Sequence, residues 1–65
     1  MKIFVNGEER ETQAAQVAAL LAELGLAPAL VAVEHNKAVL FRQELEKTPL
    51  KEGDRLEIVR AVAGG

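Results

Sequence analysis

The sequence predicts an α+β fold in which a mixed sheet of four to five strands packs on one main helix. Short segments with strand-like patterns lie on both sides of the one stretch with helical spacing. Turn residues separate the strand segments at Asn6-Gly7, Asn36-Lys37 and Gly53-Asp54. Because one helix can cover only one face of a sheet, we expect the other face to be open.

The first two strands are predicted to form a hairpin within KIFVNGEERET. Ile3 and Val5 share one face of the first strand, and Asn6-Gly7 supplies two residues that tolerate the positive φ of a type I′ turn. The second strand, about residues 8–12, is strongly polar. We therefore expect it at an exposed edge of the sheet, where charge discourages stray pairing.

A helix follows the hairpin. One stripe of it is formed by four apolar residues at positions i, i+3, i+4 and i+7, which are Val17, Leu20, Leu21 and Leu24. Gly25 stands where a left-handed residue ends many helices, and Pro28 shows that the helix has stopped.

The second half of the chain predicts two or three more strands. The third covers about residues 30–35, and a tight turn leads into a short apolar run over residues 38–41. RQELEKTPL is interpreted as a helical turn followed by a loop, and a turn at Gly53-Asp54 starts a last strand over residues 55–60. The order of elements is therefore ββαβ(β)β.

The predicted core consists of ten aliphatic residues: Ile3, Val5, Val17, Leu20, Leu21, Leu24, Val31, Val33, Leu56 and Ile58. The alternation of side chains along a strand sends Phe4 and Val59 to the open face. We expect these two residues to merge into one apolar patch with arginines at its rim, and we predict Phe4, Val59 and Arg60 as a surface for protein partners.

Composition argues against a self-contained enzyme. The 65 residues include no Cys, Ser, Tyr or Trp, one His and two Thr, so an activated nucleophile beside a base can hardly be assembled. Without cysteine there is no disulfide or thiolate metal site, and we predict no bound metal. The net charge of −2 gives no reason to expect nucleic acid or a membrane surface as a partner. No apolar stretch approaches the ~20 residues that span a bilayer, and we expect a cytoplasmic protein.

The last five residues are predicted to form a flexible tail on a single domain over residues 1–60. Gly64 and Gly65 have no side-chain chemistry, but they give the slimmest backbone and allow φ of either sign. With so few reactive side chains elsewhere, any chemistry is expected at the Gly65 carboxylate. The tail residues predicted to enter a partner's channel are Ala61, Val62, Ala63, Gly64 and Gly65.

Four segments together resemble one protein family: IFVNG, VAALLAELGL, VAVEHN followed by Arg42, and LKEGDRLEIVRAVAGG, of which the last is the most specific. The sequence is similar over essentially its whole length to the ThiS family, the ubiquitin-like sulfur carriers of thiamine biosynthesis, which implies a β-grasp fold. Two departures concern local packing: Leu45 replaces a usual aromatic residue, and Phe41 replaces a frequent proline.

The resemblance implies a protein co-substrate rather than an enzyme. An E1-like, ThiF-like adenylating enzyme would use ATP and magnesium to activate the carboxylate of Gly65, with no cofactor bound to this chain. Sulfur from cysteine, delivered through a cysteine desulfurase, would convert the acyl-adenylate to a thiocarboxylate. A ThiG-like thiazole synthase would then take the sulfur to build the thiazole ring.

Other functions share the same features. Sulfur carriers for tRNA thiolation or molybdopterin synthesis have the same fold and diglycine, and a ubiquitin-like protein modifier uses the same activation. A β-grasp interaction domain with an inert tail is a further alternative. Two residues are expected to be structural rather than functional: His35, as a lone imidazole, and Arg42, which matches the family pattern.

Overall fold

A computed structural model describes residues 1–60, and the predicted tail over residues 61–65 lies outside the described part. The regular elements are β1 (Lys2–Val5), β2 (Glu8–Glu11), α1 (Val17–Glu23), β3 (Val31–His35), β4 (Ala38–Leu40) and β5 (Arg55–Arg60). Two 3₁₀ turns, Pro28–Leu30 and Arg42–Glu44, lie in the connections. The division into a domain and a tail therefore stays a prediction.

The strands form one sheet in the order β2-β1-β5-β3-β4. β1 pairs with β5 in parallel, and the other neighbours are antiparallel. The sheet is therefore mixed and five-stranded, which confirms the predicted α+β class. β5 is the last strand within residues 1–60 but the central strand of the sheet, and the polar β2 lies at an edge as predicted.

Both hairpins turn through residues with positive φ. In the first, φ is 52° at Asn6 and 84° at Gly7, and in the second it is 50° at Asn36 and 74° at Lys37. Two successive positive values are the requirement of a type I′ turn, whose twist matches that of the flanking strands. The predicted turns are thus confirmed.

The C-terminus of α1 is closed by Gly25, which has a φ of 72°. The Gly25 N–H donates to the Ala22 carbonyl at 3.1 Å, and the Leu26 N–H donates to the Leu21 carbonyl at 2.9 Å. This pair of bonds defines a Schellman motif, which satisfies carbonyls that the helix leaves free. The predicted role of Gly25 is confirmed.

No helix within residues 1–60 is long and apolar enough to cross a membrane.

The N-terminus of α1 is closed by a distant loop rather than by a local side chain. Gln16 occupies the N-cap position without a side-chain cap bond. Instead, the Val17 N–H donates to the Thr48 carbonyl at 3.0 Å, and the Ala18 N–H donates to the Leu45 carbonyl at 2.9 Å. The loop that follows the second 3₁₀ turn therefore supplies acceptors for helix amides that have no partner within the helix.

Three strand boundaries differ from the prediction. The second strand ends at Glu11, one residue earlier than predicted. The third strand begins at Val31 rather than Leu30, because Pro28 starts a 3₁₀ turn that includes Leu30. The fourth strand ends at Leu40, and the Phe41 N–H instead donates to the Glu44 carboxylate at 2.8 Å. That bond caps the second 3₁₀ turn, which confirms the predicted helical turn.

Seven of the ten predicted core residues are buried, which places the core between the helix and one face of the sheet. The other three, Val5, Leu24 and Val31, are half-buried at its border. Three buried hydrophobic residues were not predicted: Ala14, Leu45 and Leu50. They lie in connections without helical or strand periodicity, so no pattern in the sequence marks them as buried.

Candidate functional site

The candidate site lies at the C-terminal end of β5, the central strand of the sheet. β1 pairs with the first part of β5, and β3 pairs with it as far as the register of Val31 with Arg60. Arg60 is the last described residue, and the tail continues from it. The predicted tail residues lie outside the described part: Ala61, Val62, Ala63, Gly64 and Gly65.

The open face carries a shallow apolar groove close to the end of β5. Val59 is 58% exposed and Val39 is 60% exposed. Ala32, which is also exposed, lies directly opposite Val59 in the register of β3 with β5. These three side chains line the groove, so Val59 belongs to an apolar surface that continues across β3 to β4.

Two carboxylates border this groove. Glu34 of β3 lies directly opposite Glu57 of β5, and both residues line the groove and are exposed. Like charges opposite one another in a sheet repel. The border of the groove formed by Glu34 and Glu57 is therefore acidic.

Phe4 lies on the same face but not in the same patch. It is half-buried, and the Arg55 guanidinium carbon lies 4.3 Å from the centroid of its ring, as in a cation–π contact. The register aligns Phe4 with Arg55, four residues before Val59, which corresponds to about 13 Å along the strand. Glu57 comes between them on this face. The expectation that Phe4 and Val59 merge into one patch is therefore wrong.

The two arginines singled out from the sequence are both exposed. Arg60 lies opposite Val31, so strand alternation places it on the helix side of the sheet, away from Val59. Arg42 begins the second 3₁₀ turn. Whether Phe4, Val59 and Arg60 contact a partner stays a prediction.

His35 belongs to a partly buried hydrogen-bond cluster around Asp54 at the opposite end of β5. Its Nε2 lies 2.7 Å from Oδ2 of Asp54, which also accepts the Lys51 N–H at 2.9 Å. Asn36 Nδ2 donates to Oδ1 of Asp54 at 3.1 Å. Burial acts to raise the pKa of Asp54, but the hydrogen bonds from His35, the Lys51 backbone and Asn36 lower it below its ordinary value. The contact supports the structural role expected of His35.

Ala32 and Val39 were missed as members of the candidate surface. The signal was present, because both lie on strands with a predicted turn between them. Side chains alternate between the two faces along each strand, and residues paired across strands lie on the same face. Ala32, opposite Val59, and Val39, opposite Glu34, therefore lie on the open face with Val59. The register, which decides which residues become neighbours, follows only from the assembled sheet.

Comparison with known proteins matches nearly the whole chain to one family. The model of the ThiS family matches residues 3–65. The chain is 32% identical over 63 residues to the sulfur carrier protein ThiS of Thermus thermophilus, covering 97% of this chain and 98% of that protein.

Two longer proteins also contain a similar region. The chain is 42% identical over 66 residues to a thiazole synthase of Paramagnetospirillum magneticum and 44% identical to one of Magnetococcus marinus. The match covers all of this chain but only 20% of either protein, so the chain spans about a fifth of the length of these relatives.

The fold agrees with a solved structure over its full length. The crystal structure of the thiamine biosynthesis protein ThiS from Geobacter metallireducens superposes with a TM-score of 0.82 at 36% identity, covering 100% of both chains. The predicted ubiquitin-like β-grasp fold is confirmed by this match together with the sheet order. On the family match over residues 3–65 and the full-length similarity to two ThiS proteins, the chain belongs to the ThiS family.

Proposed function

We propose that this protein is a sulfur carrier of thiamine biosynthesis that holds sulfur as a thiocarboxylate on Gly65. The observation that carries the proposal is membership of the ThiS family over residues 3–65, a range that includes Gly64 and Gly65. The full-length similarity to a Thermus thermophilus sulfur carrier supports it.

The chemistry begins with activation of the Gly65 carboxylate. A C-terminal carboxyl group has an ordinary pKa of ~3.3–3.7, so it is ionised at neutral pH and is a poor electrophile. One of its oxygens attacks the α-phosphorus of ATP in the adenylating enzyme, and pyrophosphate leaves. Sulfide then attacks the acyl carbon, and AMP leaves with the oxygen that linked it. A persulfide gives the same thiocarboxylate once a thiol has reduced its S–S bond.

Apart from the Gly65 carboxylate, the chain is proposed to supply no reacting group in this scheme, since it contains no cysteine or serine. It acts as a protein substrate, and the catalytic groups belong to its partners. We propose a ThiF-like adenylating enzyme that uses ATP and magnesium, and a cysteine desulfurase as the source of sulfur. The predicted cytoplasmic location is part of this proposal.

The acceptor enzyme is proposed to be a thiazole synthase of the ThiG type. Two thiazole synthases contain a region that is 42% and 44% identical to this chain within one polypeptide. A carrier-like region joined to a synthase supports a functional relationship between the two parts. The shared polypeptide also favours thiazole synthase over a tRNA-thiolating enzyme as the acceptor.

The body of the protein is proposed to dock while the tail reaches the reacting groups. Fixing a flexible residue costs ~1–2 kcal/mol, so a tail of five residues needs binding energy from elsewhere. The groove at Val59, with Ala32 and Val39, is the apolar surface closest along β5 to the tail. Phe4 and Arg60 stay candidate contacts.

Intact-protein mass spectrometry tests this function. The protein is incubated with a ThiF-like enzyme, ATP, magnesium, a cysteine desulfurase and cysteine, and we expect one oxygen to be replaced by sulfur. A reaction without ATP is the control. The product is then offered separately to a thiazole synthase and to a tRNA-thiolating enzyme. An unchanged mass contradicts the carrier function, and transfer only to the tRNA enzyme contradicts the assigned acceptor.

A further inference from the structure

The side chain of Asn6 makes two hydrogen bonds to one residue of β5. Its Oδ1 accepts the Ile58 N–H at 2.7 Å, and its Nδ2 donates to the Ile58 carbonyl at 3.1 Å. The two residues are 52 positions apart in the sequence. A side-chain amide has the same donor and acceptor as a peptide group, so Asn6 pairs with Ile58 as a backbone residue would.

This contact continues the pairing of β1 with β5 beyond the end of β1. The backbone N–H of Phe4 donates to the Asp54 carbonyl, and that of Asn6 donates to the Leu56 carbonyl, both at 2.8 Å. Ile58 is the next residue of β5 that faces β1. At this point the chain enters the hairpin turn through Asn6, which has a positive φ of 52°. The Asn6 side chain therefore makes the hydrogen bonds to Ile58 that a further backbone residue of β1 would make.

Asn36 makes a matching arrangement at the other end of β5. It occupies the same position in the second type I′ turn, with a φ of 50°. Its Oδ1 accepts the Arg55 N–H at 2.9 Å, and its Nδ2 donates to Asp54 at 3.1 Å. The first residue of each hairpin turn thus holds β5 by side-chain hydrogen bonds. Asn36 bonds to Arg55, where the strand begins, and Asn6 bonds to Ile58, two residues before the strand ends at Arg60.

We propose that Asn6 is a positioning residue for sulfur loading and delivery, because it fixes the direction in which β5 presents the C-terminal segment. The inference rests on the proposed function, since it concerns the same segment. On the β3 side, the end of β5 is held by the register of Val31 with Arg60. On the β1 side, Asn6 provides the corresponding contact at Ile58. When it is removed, the last residues of β5 keep pairing on one side only.

The test compares Asn6→Gly with Asn36→Gly. Glycine adopts positive φ without strain, so both variants keep their turn. Asn6→Gly loses two side-chain hydrogen bonds to Ile58. Asn36→Gly loses one to Arg55 and one to Asp54, the residue before β5. The variants differ in which end of β5 is released.

Sulfur loading by the ThiF-like enzyme is measured with the carrier as the varied substrate, at a temperature where all variants are folded. We expect kcat for Asn6→Gly to fall roughly 5- to 30-fold, the range that corresponds to ordering one more residue after docking. KM should change less than about twofold, because the docking surface is intact. Asn36→Gly should keep kcat within about twofold.

Amide hydrogen exchange at Ile58 provides a readout that does not depend on the function. Exchange should accelerate in Asn6→Gly and stay as in the wild type in Asn36→Gly, measured at matched global stability. Equal kcat values for the two glycine variants, or unchanged exchange at Ile58, overturn the positioning role. A wild-type protein that gains no sulfur overturns the proposed function instead, and the exchange experiment still decides whether Asn6 holds the end of β5.

Discussion

Replacing Asp54 by asparagine removes the acceptor at the centre of the partly buried cluster that joins β3 to the start of β5. Oδ2 of Asp54 accepts from Lys51 N–H and contacts His35 Nε2, while Oδ1 accepts from Asn36. An asparagine has one oxygen and one NH₂ group. In either orientation its NH₂ group meets another donor, the Lys51 N–H or the Asn36 amide, and at least one donor loses its partner.

The expected cost follows from that count. A buried donor left without an acceptor costs about 1–3 kcal/mol, and the lower part of this range applies because the hydrogen bonds from Lys51 and Asn36 are only partly buried. The whole domain is expected to be stable by roughly 3–10 kcal/mol, so Asp54→Asn should remove a substantial part of the free energy of unfolding. The melting temperature should fall by about 4–8 °C for each kcal/mol.

The stability difference between the wild type and Asp54→Asn should also depend on pH, with a defined sign. The folded protein holds the pKa of Asp54 below its ordinary value, so ionised Asp54 stabilises the fold. That stabilisation is fully present above the pKa of the unfolded chain, ~3.9, and is lost as the pH falls through the lower folded value. The stability gap between wild type and Asp54→Asn should therefore be largest above about pH 5 and shrink below pH 4.

Urea unfolding followed by far-UV circular dichroism provides the measurement, since the chain has no Trp or Tyr for fluorescence. Curves are recorded for both proteins from pH 7 to pH 2.5. Glu46→Gln, at an exposed carboxylate, is the control for loss of one negative charge and should change stability by less than about 0.5 kcal/mol. Equal stability of Asp54→Asn and wild type at pH 7, or a stability gap that stays constant down to pH 2.5, would contradict the stabilising role of the Asp54 carboxylate.

The remaining predictions concern the helix end and the open face. Gly25→Ala should cost roughly 1 kcal/mol in thermal unfolding, because the φ of 72° strains any residue with a Cβ although nothing lies within 4 Å of the added atom. Gly25→Asn should lower the stability by less than Gly25→Ala. Unchanged stability of Gly25→Ala would contradict the explanation from the positive φ. Val59→Ala should weaken binding to the ThiF-like enzyme roughly fivefold in calorimetry, with stability nearly unchanged. Leu30→Ala, at a residue that is 55% exposed, is the matched control, and an equal effect of both variants would argue against the groove.

Local signals in the sequence predicted most of the fold. Asn6-Gly7 predicted the first hairpin because few residue pairs adopt two successive positive φ values. The spacing of apolar residues from Val17 to Leu24 predicted the helix, and Gly25 predicted its end. Each of these features depends on residues within one or two turns of the chain, where a sequence pattern is informative.

The features that were missed depend on contacts between distant residues. Leu45 and Leu50 are buried because their loop closes the N-terminus of α1, yet the loop itself has no periodic pattern. The separation of Phe4 from Val59 depends on the register of β1 with β5. The pairing of Asn6 with Ile58 spans 52 positions, so the turn propensity of Asn6 gave no indication of it.

We propose that the reacting atom is the carboxyl carbon of Gly65 and that the folded domain serves to present it. Adding one alanine after Gly65 tests this most directly, because the extra residue replaces the free carboxylate by a peptide bond while residues 1–60 are unchanged. Sulfur transfer from the loaded carrier to thiazole synthase is measured by the formation of the thiazole product. We expect no transfer from the extended protein and full recovery after enzymatic removal of the added alanine, whereas normal transfer from the extended protein would contradict the account.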